Sequence, residues 1–253
     1  MKGRAPKTGY DRDQFGQRWK DIDRNGCGQR DDVLERDLVD VHKDGRCKVT
    51  AGILNDPFTG ELILFQRGEE TSTLVQIDHV VALSDAWQKG AQQLTAHQRE
   101  TFGNDPLNLL AVDGAANAQK GDGDAATWLP KNKDFRCAYV ARQVSVKIAY
   151  SLWVAKAEYE AIARILTACP DEPVLESEYA AAAMAIEEEP EPTPEPKPAK
   201  KPKPKPTKEA EQEYVYYQNC AAAKAAGAAP VRRGDPGYGS HLDRDGDGVG
   251  CES

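Results

Sequence analysis

The sequence predicts an α+β protein made of one sizeable domain, a linker and a small stapled domain. Three observations carry this. Short β-rich runs alternate with segments of helical period across the first 170 residues. Residues 171–209 are dominated by Pro, Glu and Lys. Six cysteines fall as three widely spaced twos. The expected boundaries are therefore 1–170, 171–209 and 210–253. The first part is long enough to bury a core, whereas the last needs a staple.

The opening segment to Arg30 is polar and loop-like, with Tyr10, Phe15 and Trp19 as possible anchors. Arg30 to Leu38 reads as a short helix capped by Asp31 or Asp32. A hairpin follows, with Lys48-Val49-Thr50 and Glu61 to Phe65 around the turn Asn55-Asp56-Pro57-Phe58-Thr59-Gly60. Leu74 to Leu83 is the most apolar strand-like run. A helical stretch passes through Trp87, Leu94 and Phe102, and Leu107 to Val112 is a second strand. Gly114 to Lys120 then opens a helix that Asp113 can cap. Between Lys133 and Thr167, apolar positions three to four apart predict two amphipathic helices. The four tryptophans are expected in the core.

The net charge of −8 looks wrong for a protein that handles a polyanion. Residues 1–170 carry 23 Lys and Arg against 24 Asp and Glu, so this part is near neutral. A local basic patch and a divalent ion can still hold nucleic acid, so charge decides nothing. No pair of cysteines has the close spacing of a zinc or redox motif. Three disulfides and an oxidising compartment are the reading, with free buried thiols as the alternative. No apolar run is long enough to span a membrane, and no signal peptide precedes Tyr10. Export would require a leader absent from this chain or another route.

Asp78-His79 lies inside an apolar run, where a charged pair is costly unless it is used or paired. A lone histidine there is ordinarily a satisfied structural one. The order of elements argues otherwise, because a strand with Asp-His is followed by a strand with Asn108 and a helix with Asn117 and Lys120. Phosphodiester cleavage needs a base for water, a cation for the developing charge and oxygen ligands for that cation. Asp78 and Asn117 offer such oxygens, and His79 titrates near neutral pH.

The runs Ile77-Asp78-His79-Val80-Val81-Ala82-Leu83, Asn104-Asp105-Pro106-Leu107-Asn108-Leu109-Leu110 and Asn117-Ala118-Gln119-Lys120-Gly121 resemble the HNH endonucleases, whose fold is the ββα-metal, or His-Me, finger. Cys27, Arg46 to Val49, Asp56 to Gly60, Trp87, Trp128-Leu129-Pro130 and Cys137 to Val140 resemble exported actinobacterial members. The resemblance implies that Asp78 and Asn117 ligate Mg²⁺ or another divalent ion and that His79 is the general base. It also implies that Asn108 pins the loop behind His79. Lys120 either neutralises phosphate or is solvated. The interval between His79 and Asn108 is longer than in minimal cores, and could bring Lys89 or Arg99 near phosphates. His42 and His97 are read as surface or packing residues.

The tail holds Asp243-Arg244-Asp245-Gly246-Asp247-Gly248-Val249-Gly250-Cys251-Glu252, whose alternating carboxylates suit a hard cation. With Asn219-Cys220, Ala223 to Gly227 and Asp235 to Tyr238, it is similar to the Excalibur domain. That resemblance implies Ca²⁺ held by Asp243, Asp245, Asp247 and Glu252, with the Val249 carbonyl as a further ligand and Cys220–Cys251 as the staple. The expectation is a secreted or cell-surface endonuclease acting on DNA, with RNA as a second substrate and cell-envelope material as a partner of the tail. Its rivals are a calcium-binding surface protein on a non-catalytic scaffold and an antibacterial nuclease effector.

Overall fold

The structure, a computed structural model, describes residues 1–68, 72–185, 215–245 and 247–252. The chain divides into two compact units, residues 1–191 and 192–253, each described by itself. Both are mixed helix and sheet.

In the first unit, α1 (Gln29–Asp37) buries Val33 and Leu34 and carries Asp31 and Asp32 in its first turn, where they complement the helix dipole. Three antiparallel strands follow in the order β1 (Leu38–Asp44), β2 (Lys48–Asn55) and β3 (Leu62–Gln66). The expected hairpin is β2–β3. Strand β1 was not expected, because its polar edge residues carry little apolar alternation. It pairs with β2 through an irregular register between Val39 and His42.

A second, two-stranded sheet pairs β4 (Val75–His79) antiparallel with β5 (Leu109–Asp113). Between them run α2 (Leu83–Gln88) and α3 (Ala96–Asn104), the latter started by a Thr95/Gln98 capping box. Helix α4 (Gly114–Lys120) leaves β5 at once, its first turn capped by the Asp113 carboxylate on Ala116 N at 2.7 Å. Only glycine fits at 114, since a Cβ there would sit 2.0 Å from the Thr73 carbonyl oxygen.

Strand alternation gives this sheet two cores. Val75, Ile77, Leu109 and Ala111 pack with α1 and the first sheet around Leu34, Val49, Leu54 and Phe65. Leu110 and Val112 pack on the other side with Phe58, Tyr139 and Ile162, beneath α5 (Arg136–Ala149) and α6 (Lys156–Leu166). A third cluster joins Phe15, Trp87, Phe102 and Tyr150.

The expected end of the domain at 170 is too early. Residues 171–177 lead into α7 (Glu178–Ala185), which buries Ala180 and Ala183. Ser177 donates to Asp105 at 2.6 Å, sharing that carboxylate oxygen with the Tyr150 hydroxyl at 2.7 Å. An alanine run amid Glu and Pro looks like linker because each Ala buries so little surface. The rest of the expected linker, residues 186–209, lies outside the described residues, as do residues 210–214 of the expected tail domain. Among the tryptophans only Trp87 is fully buried, while Trp19, Trp128 and Trp153 are half-buried.

The second unit holds α8 (Cys220–Ala225), capped by Asn219, and a short pairing of β6 (Val231–Arg232) with β7 (Val249–Gly250). Ala223, Val231, Leu242 and Cys251 form its small core. The disulfides are Cys27–Cys47, Cys137–Cys169 and Cys220–Cys251. No helix among the described residues is long and apolar enough to cross a membrane.

Candidate active site

Strand β4 sends Asp78 and His79 to opposite faces, opposite Leu110 and Leu109 of β5. Helix α4 lies against the Gln76 and Asp78 face. Asn117 Nδ2 donates to Gln76 Oε1 at 2.9 Å, and Lys120, one turn on, donates to Asp78 Oδ1 at 2.9 Å and to the His79 carbonyl at 2.8 Å. Asp78, His79 and Asn117 border one cleft of about 290 Å³, with Tyr10, Arg12 and Ser84 among its other lining residues.

His79 Nε2 lies 2.9 Å from the Gly103 carbonyl. A carbonyl only accepts, so Nε2 carries the proton and Nδ1 of the neutral ring holds a lone pair. Trp19 stacks on the ring at 6.3 Å and 17°. Burial is the main force lowering the His79 pKa to about 3, and the charges of Arg12, Lys120 and Arg18 add to it against the Gly103 bond. The imidazole is therefore neutral at physiological pH, but it does not titrate near neutrality as the sequence led one to expect, because burial and nearby cations oppose its proton.

Burial pushes Asp78 above the usual carboxylate range, and the Lys120 ammonium beside it opposes that rise. Its Oδ2 is buried with no hydrogen-bond partner among the described residues. Leaving such an atom unsatisfied costs about 1–3 kcal/mol or more. An orphaned carboxylate oxygen, beside an Asn whose amide nitrogen is already bonded, fits a hard divalent cation.

Lys120 is neither solvated nor free to meet phosphate. Its side chain is buried, because α4 packs directly on β4 and the ammonium satisfies Asp78 and a carbonyl. Asn108 is likewise buried, its Oδ1 accepting from Val81 N at 2.9 Å and its amide donating to the Phe102 carbonyl at 3.3 Å. Its own carbonyl accepts from Val80 N at 2.8 Å, so Asn108 braces the turn after His79.

The expectation for Lys89 and Arg99 is corrected too. Lys89 is fully buried and pairs with Asp85, Asp124 and Glu158 at 2.6–2.7 Å. Lys147 pairs with Asp85 and Glu158, and Arg4 with Asp85 and Asp124. Burial alone would raise Asp124, yet Lys89 and Arg4 hold it at about 2. Arg99 spends its guanidinium on the carbonyls of Gln14 and Leu94 and lies over Trp87. Sequence reading missed this ionic core, whose members are scattered from residue 4 to 158. It also missed the wall contributed by residues 10–19; the signal available was the Arg-aromatic content of Tyr10, Arg12, Phe15, Arg18 and Trp19.

In the second unit, one carboxylate oxygen from each of Asp243, Asp245 and Asp247 lies within 4.8 Å of the others. Gly248, at φ 99°, makes the turn that folds the loop back. Asp243 also accepts from the Tyr238 hydroxyl at 2.6 Å and Gly248 N at 2.9 Å. Glu252 is not in that group; it is exposed and directly follows the disulfide-bound Cys251.

Three comparisons bear on this geometry. Residues 28–165 match the model of the C-terminal domain of GmrSD restriction endonucleases, and residues 217–252 match the Excalibur calcium-binding domain. An uncharacterized secreted protein of Arthroderma benhamiae is 36% identical over 171 residues, covering 67% of this chain and 80% of the relative. No solved structure matches. The chain thus belongs to the family of the GmrSD restriction endonuclease C-terminal domain and carries an Excalibur calcium-binding domain at its end.

Proposed function

We propose that this protein is an exported, metal-dependent endonuclease of HNH type, hydrolysing DNA with little sequence preference and RNA as a second substrate. The observation that carries the reading is the cleft shared by Asp78, His79 and Asn117, with a neutral imidazole beside an orphaned carboxylate oxygen. The two antiparallel strands followed by a helix agree with a ββα-metal core. Three disulfides suit an oxidising compartment, and the fungal relative is named as secreted.

Asp78 Oδ2 and the Asn117 carboxamide oxygen would hold Mg²⁺ or a similar ion. Bound there, it would supply positive charge against the crowded phosphate and the departing oxygen. His79 Nδ1 takes a proton from water as the water oxygen attacks phosphorus. The opposite P–O ester bond breaks and its departing oxygen takes a proton from solvent water, while His79 returns its own to solvent, leaving a phosphate monoester and a hydroxyl. The Gly103 carbonyl keeps the ring in the competent tautomer, and Asn108 and Lys120 position the turn and the carboxylate without touching substrate. In the tail, Asp243, Asp245 and Asp247 would hold Ca²⁺, with weak affinity for want of Glu252. Cell-envelope material is the partner proposed for it.

A second reading is favoured by one contact. Lys120 already neutralises Asp78, as it would in a non-catalytic scaffold carrying a calcium-binding tail. Digestion of plasmid, single-stranded DNA and RNA with and without chelator, beside His79→Ala, separates the two. Chelator-sensitive cleavage lost in His79→Ala supports the enzyme, and no cleavage of any substrate supports the scaffold.

A further inference from the structure

The family match begins at residue 28, yet one wall of the cleft comes from residues upstream of it. We propose that Arg12 and Arg18 form a phosphate clamp that grips the nucleic-acid backbone beside the bond to be cut. The clamp rests on the nuclease reading above. Arg12 borders the cleft with Asp78, His79 and Asn117, and both arginines border a smaller recess that shares His79 and Trp19.

Neither guanidinium forms an ion pair or a hydrogen bond among the described residues, although Asp11 and Asp13 flank Arg12 in the chain. Four other cations of the first unit are paired. Lys7 meets Asp122, Lys20 meets Glu100, Arg36 meets Asp37 and Arg67 meets Asp31. The recess that both arginines border is lined by no carboxylate, and the two that line the neighbouring cleft, Asp78 and Asp122, are met by Lys120 and Lys7, so the paired like charges form a site that an anion would stabilise. Burial and the charge of Arg18 both work against the Arg12 proton, but a guanidinium keeps its charge in proteins. Trp19, which stacks on His79, holds a left-handed backbone at φ 57°. A bulky residue rarely adopts that conformation, and the ring contact places this segment against the base. The planar fork of arginine matches two oxygens of one phosphate, which suits a backbone grip that reads no sequence.

The test is binding of a short labelled DNA duplex to the full chain in chelator, so that no cleavage occurs, measured by anisotropy across a salt series. The variants are Arg12→Ala/Arg18→Ala, Arg12→Lys/Arg18→Lys and, as a control, Arg164→Ala, an exposed arginine on α6. Removing two phosphate contacts should lower the slope of log K against log salt by about 1.8. It should also raise Kd at least about tenfold at physiological salt, the effect of about 1.4 kcal/mol. The lysine pair should restore the slope and only part of the affinity, and a melting curve for each protein verifies folding. Wild-type binding with an unchanged slope and Kd in the folded alanine variant overturns the clamp alone. A wild-type chain that binds no duplex overturns the clamp and the nuclease reading together.

Discussion

Two buried lysine–carboxylate clusters lie in the first unit, and they are built to different ends. Around Lys89 three cations, Arg4, Lys89 and Lys147, meet three carboxylates, Asp85, Asp124 and Glu158, and every carboxylate touches at least two cations. Around Lys120 one ammonium meets one carboxylate, and Asp78 Oδ2 is left bare beside a cleft. The closed cluster ties the N-terminal segment to α2, α5 and α6. The open one spends stability to leave an oxygen for something else. Asp85 Oδ1 and Glu158 Oε1 also lack a hydrogen bond among the described residues, yet each has an ammonium at 2.6 or 2.7 Å, whereas Asp78 Oδ2 has neither. On the proposed reading that difference separates a structural network from a site for chemistry.

The largest effect that separates them is on rate. His79→Ala should reduce DNA cleavage by at least about 10²-fold, the usual contribution of a general base, whereas Lys89→Met should leave the rate per folded molecule near wild type. Initial rates normalised to folded protein decide this, and equal loss in both variants would erase the distinction.

Stability should show the reverse order. Lys89→Met strips one cation from three buried carboxylates and should cost about 3–5 kcal/mol in denaturant unfolding. Next comes the tail, where Cys220→Ser with Cys251→Ser removes the staple of a very small core. That should cost about 2–5 kcal/mol, read as loss of calcium binding and faster proteolysis of residues 215–252 with cleavage of DNA unchanged.

The smallest effect is a pH signature at Lys120. The folded-state pKa of Asp78 already lies above its ordinary value of 3.8. A carboxyl raised on folding is protonated more readily in the folded state, so its contribution falls as pH rises through 3.8 and beyond. Lys120→Met removes the opposing charge and widens that window. The variant should lose more stability at pH 7 than at pH 4, and a pH-independent loss would show that Lys120 acts by packing alone.

How legible all this was in the sequence follows the range of the forces involved. Helix α4 with its Asp113 cap, and the strand β5 that leads into it, were readable because cap, glycine and apolar run are neighbours in the chain. That Asp78, His79 and Asn117 would come together at one cleft was readable by type and order. The fate of Lys120 was not, since burial depends on how closely α4 packs on β4. The Lys89 cluster, β1, α7 and the Arg12–Trp19 wall were missed for one reason: each is made by tertiary contact among residues whose local pattern is polar or bland. In the tail, the alternation of Asp243, Asp245 and Asp247 was readable as one cluster, and Glu252 lies outside that group.

The central claim is that Asp78 Oδ2 is kept bare for a divalent ion. Mn²⁺ binding followed by electron paramagnetic resonance tests it on the full chain with the tail silenced by Asp243→Asn and Asp245→Asn. The expected result is one bound ion that is lost when Asp78→Asn is added, a change that keeps an acceptor for Lys120. Unchanged Mn²⁺ binding in that variant, or no bound Mn²⁺ before it, would contradict the claim.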